Sequence, residues 1–376
     1  MANPFQFGRA VAGERFTDRE GPLRVISSCM REGQNVILMS PRRYGKTSLL
    51  KVAVEAMTAG GGRAAMVDLQ LCADRRMVAE ELRRALLPLS EGWIHRRLDE
   101  WRKMVTRHVP YLVIGLEHDG YSTTFRPMGR EYDWGDAIAS LIGLMAELGT
   151  RREPIALVID EFQKVTSIDR DLAGLFKGIV DRTQGLSLVF SGSRRHLMED
   201  LFSDEGAPLK GTGMTVALDL IPRADMVSFL MQRAAGAGKM LAEDVAGLIY
   251  DSAHGVPNTV QLFAFWAFQE GRRRVDTAAV HRGINLAVDA VAPELASTYL
   301  ELSSVQQRLV LALAAAGAVA HPFEGRFVAE VGVDQAASVQ KALRRLEQAE
   351  IAWPTPAGWQ LVNAAFERWL LRDRVP

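Results

Sequence analysis

Short apolar runs alternate with helix-periodic stretches through the first half of the chain. Residues 35–39 (NVILM) form an apolar run that ends at Ser40-Pro41. From residue 45 to about 57, Leu49, Leu50, Val52 and Ala53 mark one apolar helix face. Strand-like runs return at 64–69, 155–159 (IALVI), 186–190 and 216–220, with helical patterns at 77–87 and 134–148. Wholly apolar runs separated by helices predict a parallel sheet covered on both faces. Residues 91–107 read as another helix, and 111–125 alternate around Asp119-Gly120 as an inserted β-hairpin would.

After residue 222 the strands give way to helical patterns at 226–234, 242–251, 260–270 and 277–288. Beyond residue 303 the order is helix (305–315), short helix (325–331), longer helix (336–349) and a hairpin at 351–362 punctuated by Pro354, Pro356 and Gly358. That succession is the order of a winged helix.

Composition narrows the picture. At 376 residues the chain exceeds one domain of ~150 residues, and its 48% hydrophobic and 24% charged content suits a globular core. Basic and acidic residues number 45 each, so no net field draws the whole chain to nucleic acid or membrane. Cys29 and Cys72 offer no disulfide framework and no metal cluster, as expected of a cytoplasmic protein. The start, MANPFQFGR, lacks the pattern of a signal peptide. The longest apolar stretch, 309–320, is shorter than the ~20 residues of a membrane span and reads as a buried helix.

The first apolar run leads into Ser40-Pro41-Arg42-Arg43-Tyr44-Gly45-Lys46-Thr47, between a strand and a helix. The phosphate-binding pattern is Gly-x-x-x-x-Gly-Lys-Ser/Thr, and Ser40 replaces its first glycine. Gly45 lets backbone N–H groups curl round a phosphate, Lys46 reaches the β- and γ-phosphates, and Thr47 ligates Mg²⁺. The helix N-terminus adds partial positive charge. ATP with magnesium is the expected ligand pair. A bare strand-to-helix turn is the plainer alternative.

Asp160-Glu161 end the run IALVI, at the carboxyl end of a strand, where open α/β sheets bind ligands. Asp160 is expected to hold Mg²⁺ through its water shell, and Glu161 to orient and deprotonate the attacking water. The competing reading has both acids merely starting a helix. Ser191 and Ser193 end the run at 186–190 and are candidates to touch the γ-phosphate or the water. They could equally cap the helix that follows.

Taken together, these motifs resemble the archaeal-type ATPases of the STAND branch of AAA+ proteins. The resemblance runs through Asn3-Pro4-Phe5, Phe7-Gly8, Phe16-Thr17-Asp18-Arg19-Glu20, the loop from Pro41 through Thr47, Ser48 and Leu49, Val158–Gln163, Ser191-Gly192-Ser193, Pro208-Leu209-Lys210-Gly211 and His254-Gly255-Val256-Pro257. It implies an α/β P-loop AAA+ parallel-sheet core over 1–221, with the hairpin inserted at about 111–126, a helical lid over 222–300 and a winged-helix domain over 301–376. It further implies that Phe16, Arg19 and Glu20 line the adenine pocket, and that Gly255 and Pro257 contact nucleotide in place of a lid arginine. Family members often carry an arginine finger after Pro-Leu-Tyr-Gly; here Thr212 stands in its place and Lys210 replaces the aromatic residue. Arg194-Arg195, or an arginine from a partner, could substitute. Slow or partner-stimulated hydrolysis of ATP to ADP is therefore expected.

In the third winged-helix element, Val339, Ala342, Leu343 and Leu346 form the apolar stripe, and Gln340, Lys341, Arg344, Arg345 and Gln348 the opposite face. Basic and amide side chains suit a DNA groove, although Glu347 and Glu350 dilute the charge. The leading expectation is an ATP-driven switch with a protein partner or a second copy as candidate partners. The alternatives are a DNA-acting ATPase of the replication-initiator or transposition-regulator type and a nucleotide-binding module without hydrolysis.

Overall fold

A computed structural model describes residues 2–8, 19–117, 120–126, 133–150 and 152–374. The chain divides into two compact units. A sheet unit comprises Arg19–Pro41 and Lys46–Leu218, and a helical unit takes Met1–Asp18, Arg42–Gly45 and Asp219–Pro376.

The sheet unit runs α1 (Glu20–Arg31), β1 (Val36–Met39), α2 (Lys46–Ala59), β2 (Arg63–Asp68), α3 (Arg75–His108), β3 (Leu112–Glu117), β4 (Gly120–Phe125), α4 (Trp134–Glu147), β5 (Ile155–Asp160), α5 (Val165–Ile168), α6 (Leu172–Arg182), β6 (Leu186–Gly192), α7 (Arg195–Phe202) and β7 (Met214–Ala217). Five strands form one sheet in the order β2-β5-β6-β1-β7, and every neighbouring pair is parallel. The central strands β5, β6 and β1 are buried along their whole length, which explains their continuous apolar sequences. The run expected at 216–220 behaves differently. Its strand, β7, has one neighbour and is largely exposed. Beneath the sheet's carboxyl end, Phe162 packs 4.5 Å from Phe190 and 5.1 Å from Phe176, ring centre to ring centre.

The two helices expected at 77–87 and 91–107 are present along α3, but the first continues through Pro88 and the break between them falls at Arg97, whose backbone is non-helical (φ −148°, ψ 51°). Asp74 starts it by accepting the Met77 N–H at 2.8 Å. Strands β3 and β4 pair antiparallel from Leu112↔Phe125 to Glu117↔Gly120. The turn residue Asp119 lies outside the described residues.

The helical unit contains α8 (Arg223–Gly236), β8 (Met240–Leu241), α9 (Glu243–Ser252), α10 (Pro257–Glu270), β9 (Arg274–Val275), α11 (Thr277–Leu300), α12 (Ser304–Ala316), α13 (Gly325–Glu330), α14 (Ala336–Gln348), β10 (Ala352–Thr355), β11 (Gly358–Leu361) and α15 (Ala364–Asp373). Two features depart from the sequence reading. The two-residue strands β8 and β9 pair in parallel, and α11 continues through Pro293 to Leu300. Ser303 and Gln306 form a capping box at the start of α12. One apolar core runs from Phe5 to Leu370. Strands β10 and β11 form the wing, and Trp359 bridges to Val319. On α14, Val339, Ala342, Leu343 and Leu346 are buried, while Gln340, Lys341, Arg344, Arg345 and Gln348 are exposed. No helix among the described residues is long and apolar enough to cross a membrane.

Candidate functional site

Because β1, β5 and β6 are adjacent and parallel, they deliver their carboxyl ends to one rim. Helix α2 starts at Lys46 directly after the loop that leaves β1. The Lys46 ammonium is buried and pairs with both acids at the end of β5: it donates to Asp160 Oδ1 and, at 2.9 Å, to Glu161 Oε1. Thr47 Oγ1 donates to Asp160 Oδ2 at 3.2 Å. Ser191 Oγ donates to Asp160 Oδ1 at 2.8 Å, and Ser193 Oγ donates to Glu161 Oε2 at 3.1 Å. The two serines therefore turn to the acids. Helix α7 has Arg194 at its N-cap and no side-chain cap, so neither serine serves it.

Each acid has a distinct setting. Asp160 is 2% exposed and also accepts the Glu161 N–H at 2.9 Å. Glu161 has left-handed backbone, φ 54°, and begins a tight turn over Phe162–Lys164. That conformation is unusual for a residue with a β-carbon. It swings the carboxylate off the strand line toward Lys46.

The loop itself explains the serine at its first position. Ser40 is buried and is absent from the residues of positive φ, whereas Arg43 (φ 68°) and Gly45 (φ 89°) have left-handed backbone. The left-handed conformations fall at other positions, so Ser40 needs no glycine there. Ser48 is buried in the first turn of α2.

The loop tip groups with the helical unit. Arg42 pairs with Glu350 at 2.9 Å and Arg43 with Glu294 at 2.8 Å. The buried Tyr44 ring meets Trp353 edge-on, with centroids 5.6 Å apart. Asn258 donates its N–H to Arg43 O at 3.3 Å, and its side-chain oxygen accepts the Gly8 N–H at 2.9 Å. Pro257 opens α10, where the missing N–H costs nothing. Gly255 (φ 69°) has no room for a side chain, since a β-carbon there would lie 2.6 Å from the Tyr250 hydroxyl.

Arg19 is buried at the start of α1 with φ 109°, in the sheet unit. Phe16 lies outside the described residues. Arg194 and Arg195 are exposed, and Arg195 pairs with Glu199 at 2.8 Å on its own helix. Thr212 Oγ1 donates to Leu209 O at 2.7 Å.

Two polar residues of this rim escaped the sequence reading. Asp68 ends β2 in register with Asp160. Its carboxyl is held above its usual range, first by desolvation and then by the charges of Asp160 and Glu161, against a hydrogen bond from the Gln70 N–H. The signal was present: RAAMVD and IALVID both end in aspartate. The second is Gln163, which is 3% exposed and donates to Glu161 Oε2 at 2.6 Å.

The donor set suits a magnesium nucleotide. Asp160 and Thr47 supply hard oxygen atoms side by side, and Lys46 supplies a cation for phosphate. Among the described residues no group of three or more His, Cys, Asp or Glu could cage a metal. Mg²⁺ relies on one or two carboxylates, water and substrate phosphates.

Residues 294–372 match a family described as a probable winged helix domain. The sequence matches no curated protein. A Walker-type ATPase of Pyrococcus abyssi superposes with a TM-score of 0.69 at 16% identity, over 98% of this chain and 99% of that one. The ORC2 protein of Aeropyrum pernix, solved as ADPNP–ADP complexes, gives 0.55 at 14% identity, over 92% and 89%. The ORC1 protein of Aeropyrum pernix, solved in complex with DNA, gives 0.51 at 14% identity, over 96% and 94%. The chain shares the fold of these proteins, a parallel-sheet α/β core followed by helices, and ends in a segment that matches the winged-helix family.

Proposed function

We propose that this protein is a magnesium-dependent ATP-binding switch of the STAND type that hydrolyses ATP slowly or under stimulation by a partner. The observation that carries the reading is the buried Lys46, which bridges Asp160 and Glu161 at the rim where a phosphate loop opens α2. A lysine so placed can exchange its two carboxylates for nucleotide phosphates. Backbone N–H groups of 42–47 and the start of α2 would hold the phosphates, and Thr47 and Asp160 would hold Mg²⁺. When bound, the ion supplies charge neutralisation on the phosphates. Of the residues that the family resemblance assigns to the nucleoside, Arg19 belongs to the sheet unit and Gly255 and Pro257 to the helical unit.

Hydrolysis places a water beside Glu161. The water oxygen bonds to the γ-phosphorus, the bridging P–O bond to ADP breaks, and the proton passes to the Glu161 carboxylate. Ser191 and Ser193 hold the acids in place for this step. Position 212 is threonine and Arg195 pairs with Glu199, so the finger would come from Arg194 or from an arginine of a partner or a second copy. The free, buried Cys29 and Cys72 suit a cytoplasmic setting.

The test is a pair of variants. Lys46→Ala should lose MgATP affinity, whereas Glu161→Gln should keep affinity and lose turnover. Normal ATP binding by Lys46→Ala would place the site elsewhere. The exposed Lys341, Arg344 and Arg345 on α14 favour a second reading, an ATPase acting on DNA. It requires ATP-dependent DNA binding that weakens steeply with salt; a mobility shift that is absent or insensitive to salt sinks it.

A further inference from the structure

The two oxygens of Glu161 are treated differently. Oε2 accepts two hydrogen bonds, from Gln163 Nε2 at 2.6 Å and Ser193 Oγ at 3.1 Å. Oε1 accepts from Lys46 Nζ at 2.9 Å. Gln163 is 3% exposed, and its own Oε1 is buried without a hydrogen-bond partner. A buried, unsatisfied amide oxygen carries a cost. A carboxylate can only accept, so the amide must present its NH₂ group to Glu161 and leave its oxygen behind. The amide is thus held by its interaction with the acid.

The chain makes room for this amide deliberately. Gln163 sits two residues past Glu161, in the turn anchored by the buried Phe162. It crosses the end of β6 at Gly192, where a β-carbon would lie 2.5 Å from Gln163 Oε1 and 2.4 Å from Met198 Sδ. The glycine between the two site serines is therefore the space into which the amide fits.

We propose that Gln163 is a positioning residue for hydrolysis: with Ser193 it pins Glu161 Oε2, so that Oε1 is the oxygen that takes the proton from water. This rests on the ATPase reading above. Phosphates that draw Lys46 away free Oε1 and leave Oε2 saturated. The carboxylate then has one defined orientation at the moment water must be aligned. Without the amide it can rotate about its terminal bond, and misplacement of a reacting group by about 1 Å costs on the order of 100-fold in rate.

The experiment uses the full chain and Gln163→Met, which keeps the side chain's length and removes the donor. The expected result is a fall in kcat of about 10- to 100-fold with KM for MgATP within about twofold of wild type. Ser193→Ala removes the other bond to the same oxygen and should give a smaller loss of the same kind, which keeps the idea testable if Gln163→Met folds poorly. Binding of ADP with aluminium fluoride, a mimic of the transferring phosphoryl group, gives a readout that needs no turnover. Its affinity relative to ADP alone should fall in Gln163→Met, whereas a merely structural role would weaken both together. Wild-type kcat and wild-type ADP–aluminium fluoride affinity in Gln163→Met overturn this inference and leave the ATPase reading standing. Failure of the unaltered chain to bind MgATP overturns both.

Discussion

Replacing Lys46 by methionine should destabilise the protein before any nucleotide is added. The substitution keeps much of the side-chain stem and deletes the cation that faces Asp160 and Glu161. Removing one partner of a buried ion pair costs about 3–5 kcal/mol, because the remaining charge is left uncompensated in a poorly solvated place. Here the remaining acids are partly served. Asp160 keeps Ser191, Thr47 and the Glu161 N–H, and Glu161 keeps Gln163 and Ser193. Those bonds hold the loss near the lower end, about 3 kcal/mol. In a unit of this size each kcal/mol shifts the midpoint by about 2–4 °C, so a fall of about 6–12 °C is expected. Scanning calorimetry in EDTA without nucleotide measures it, and the deeply buried Trp101 offers an independent optical probe of the sheet unit. Adding Asp160→Asn to Lys46→Met should recover part of the loss by removing the stranded charge. A midpoint within about 2 °C of wild type for Lys46→Met would refute the reasoning, since it corresponds to less than about 1 kcal/mol.

Two further predictions concern the helical unit. Gly358 has φ 123°, and a β-carbon there would lie 2.3 Å from the Val319 carbonyl carbon, so Gly358→Ala should cost about 2–4 kcal/mol, read as a lowered melting midpoint; an unchanged midpoint would show that the wing gives way freely. The Glu367 carboxyl is raised above its ordinary value of 4.5, first by desolvation, against the charges of His254 and Arg368. A raised carboxyl favours the protonated folded form, so its ionisation lowers stability above the ordinary carboxylate range and not below it. Glu367→Gln should therefore raise the midpoint at pH 7, with the gain fading as pH falls toward 4, and an equal gain at both values would exclude this origin.

Much of this fold was legible because burial writes itself into sequence. The strands β1, β5 and β6 are covered on both faces, and their runs are largely apolar, with Ser187 and the rim residues Asp160 and Ser191 as the polar exceptions. Edge strand β7 is exposed, so its residues carry no such pattern and its bounds were misjudged. The short pair β8 and β9 is too brief to show a period, and Pro293 disguised the continuity of α11. In the site, Lys46, Thr47, Asp160, Glu161, Ser191 and Ser193 meet because motif residues fall at strand ends in one parallel sheet. Asp68 and Gln163 were missed for another reason. Their proximity to Glu161 depends on strand register and on the left-handed turn at that residue, and neither has a local signature.

The phosphate loop has a consequence for how this protein can be dissected. Its tip residues Arg42, Arg43 and Tyr44 take their partners from Glu350, Glu294 and Trp353, all more than 200 positions downstream. A fragment ending at Leu218 would retain every strand of the parallel sheet and both acids. It would nonetheless lack Glu350, Glu294 and Trp353, the partners that these three side chains meet in the full chain. The loop between β1 and α2 is thus not self-sufficient in sequence, since the side chains that meet its tip come from α11, from just past the end of α14 and from the wing.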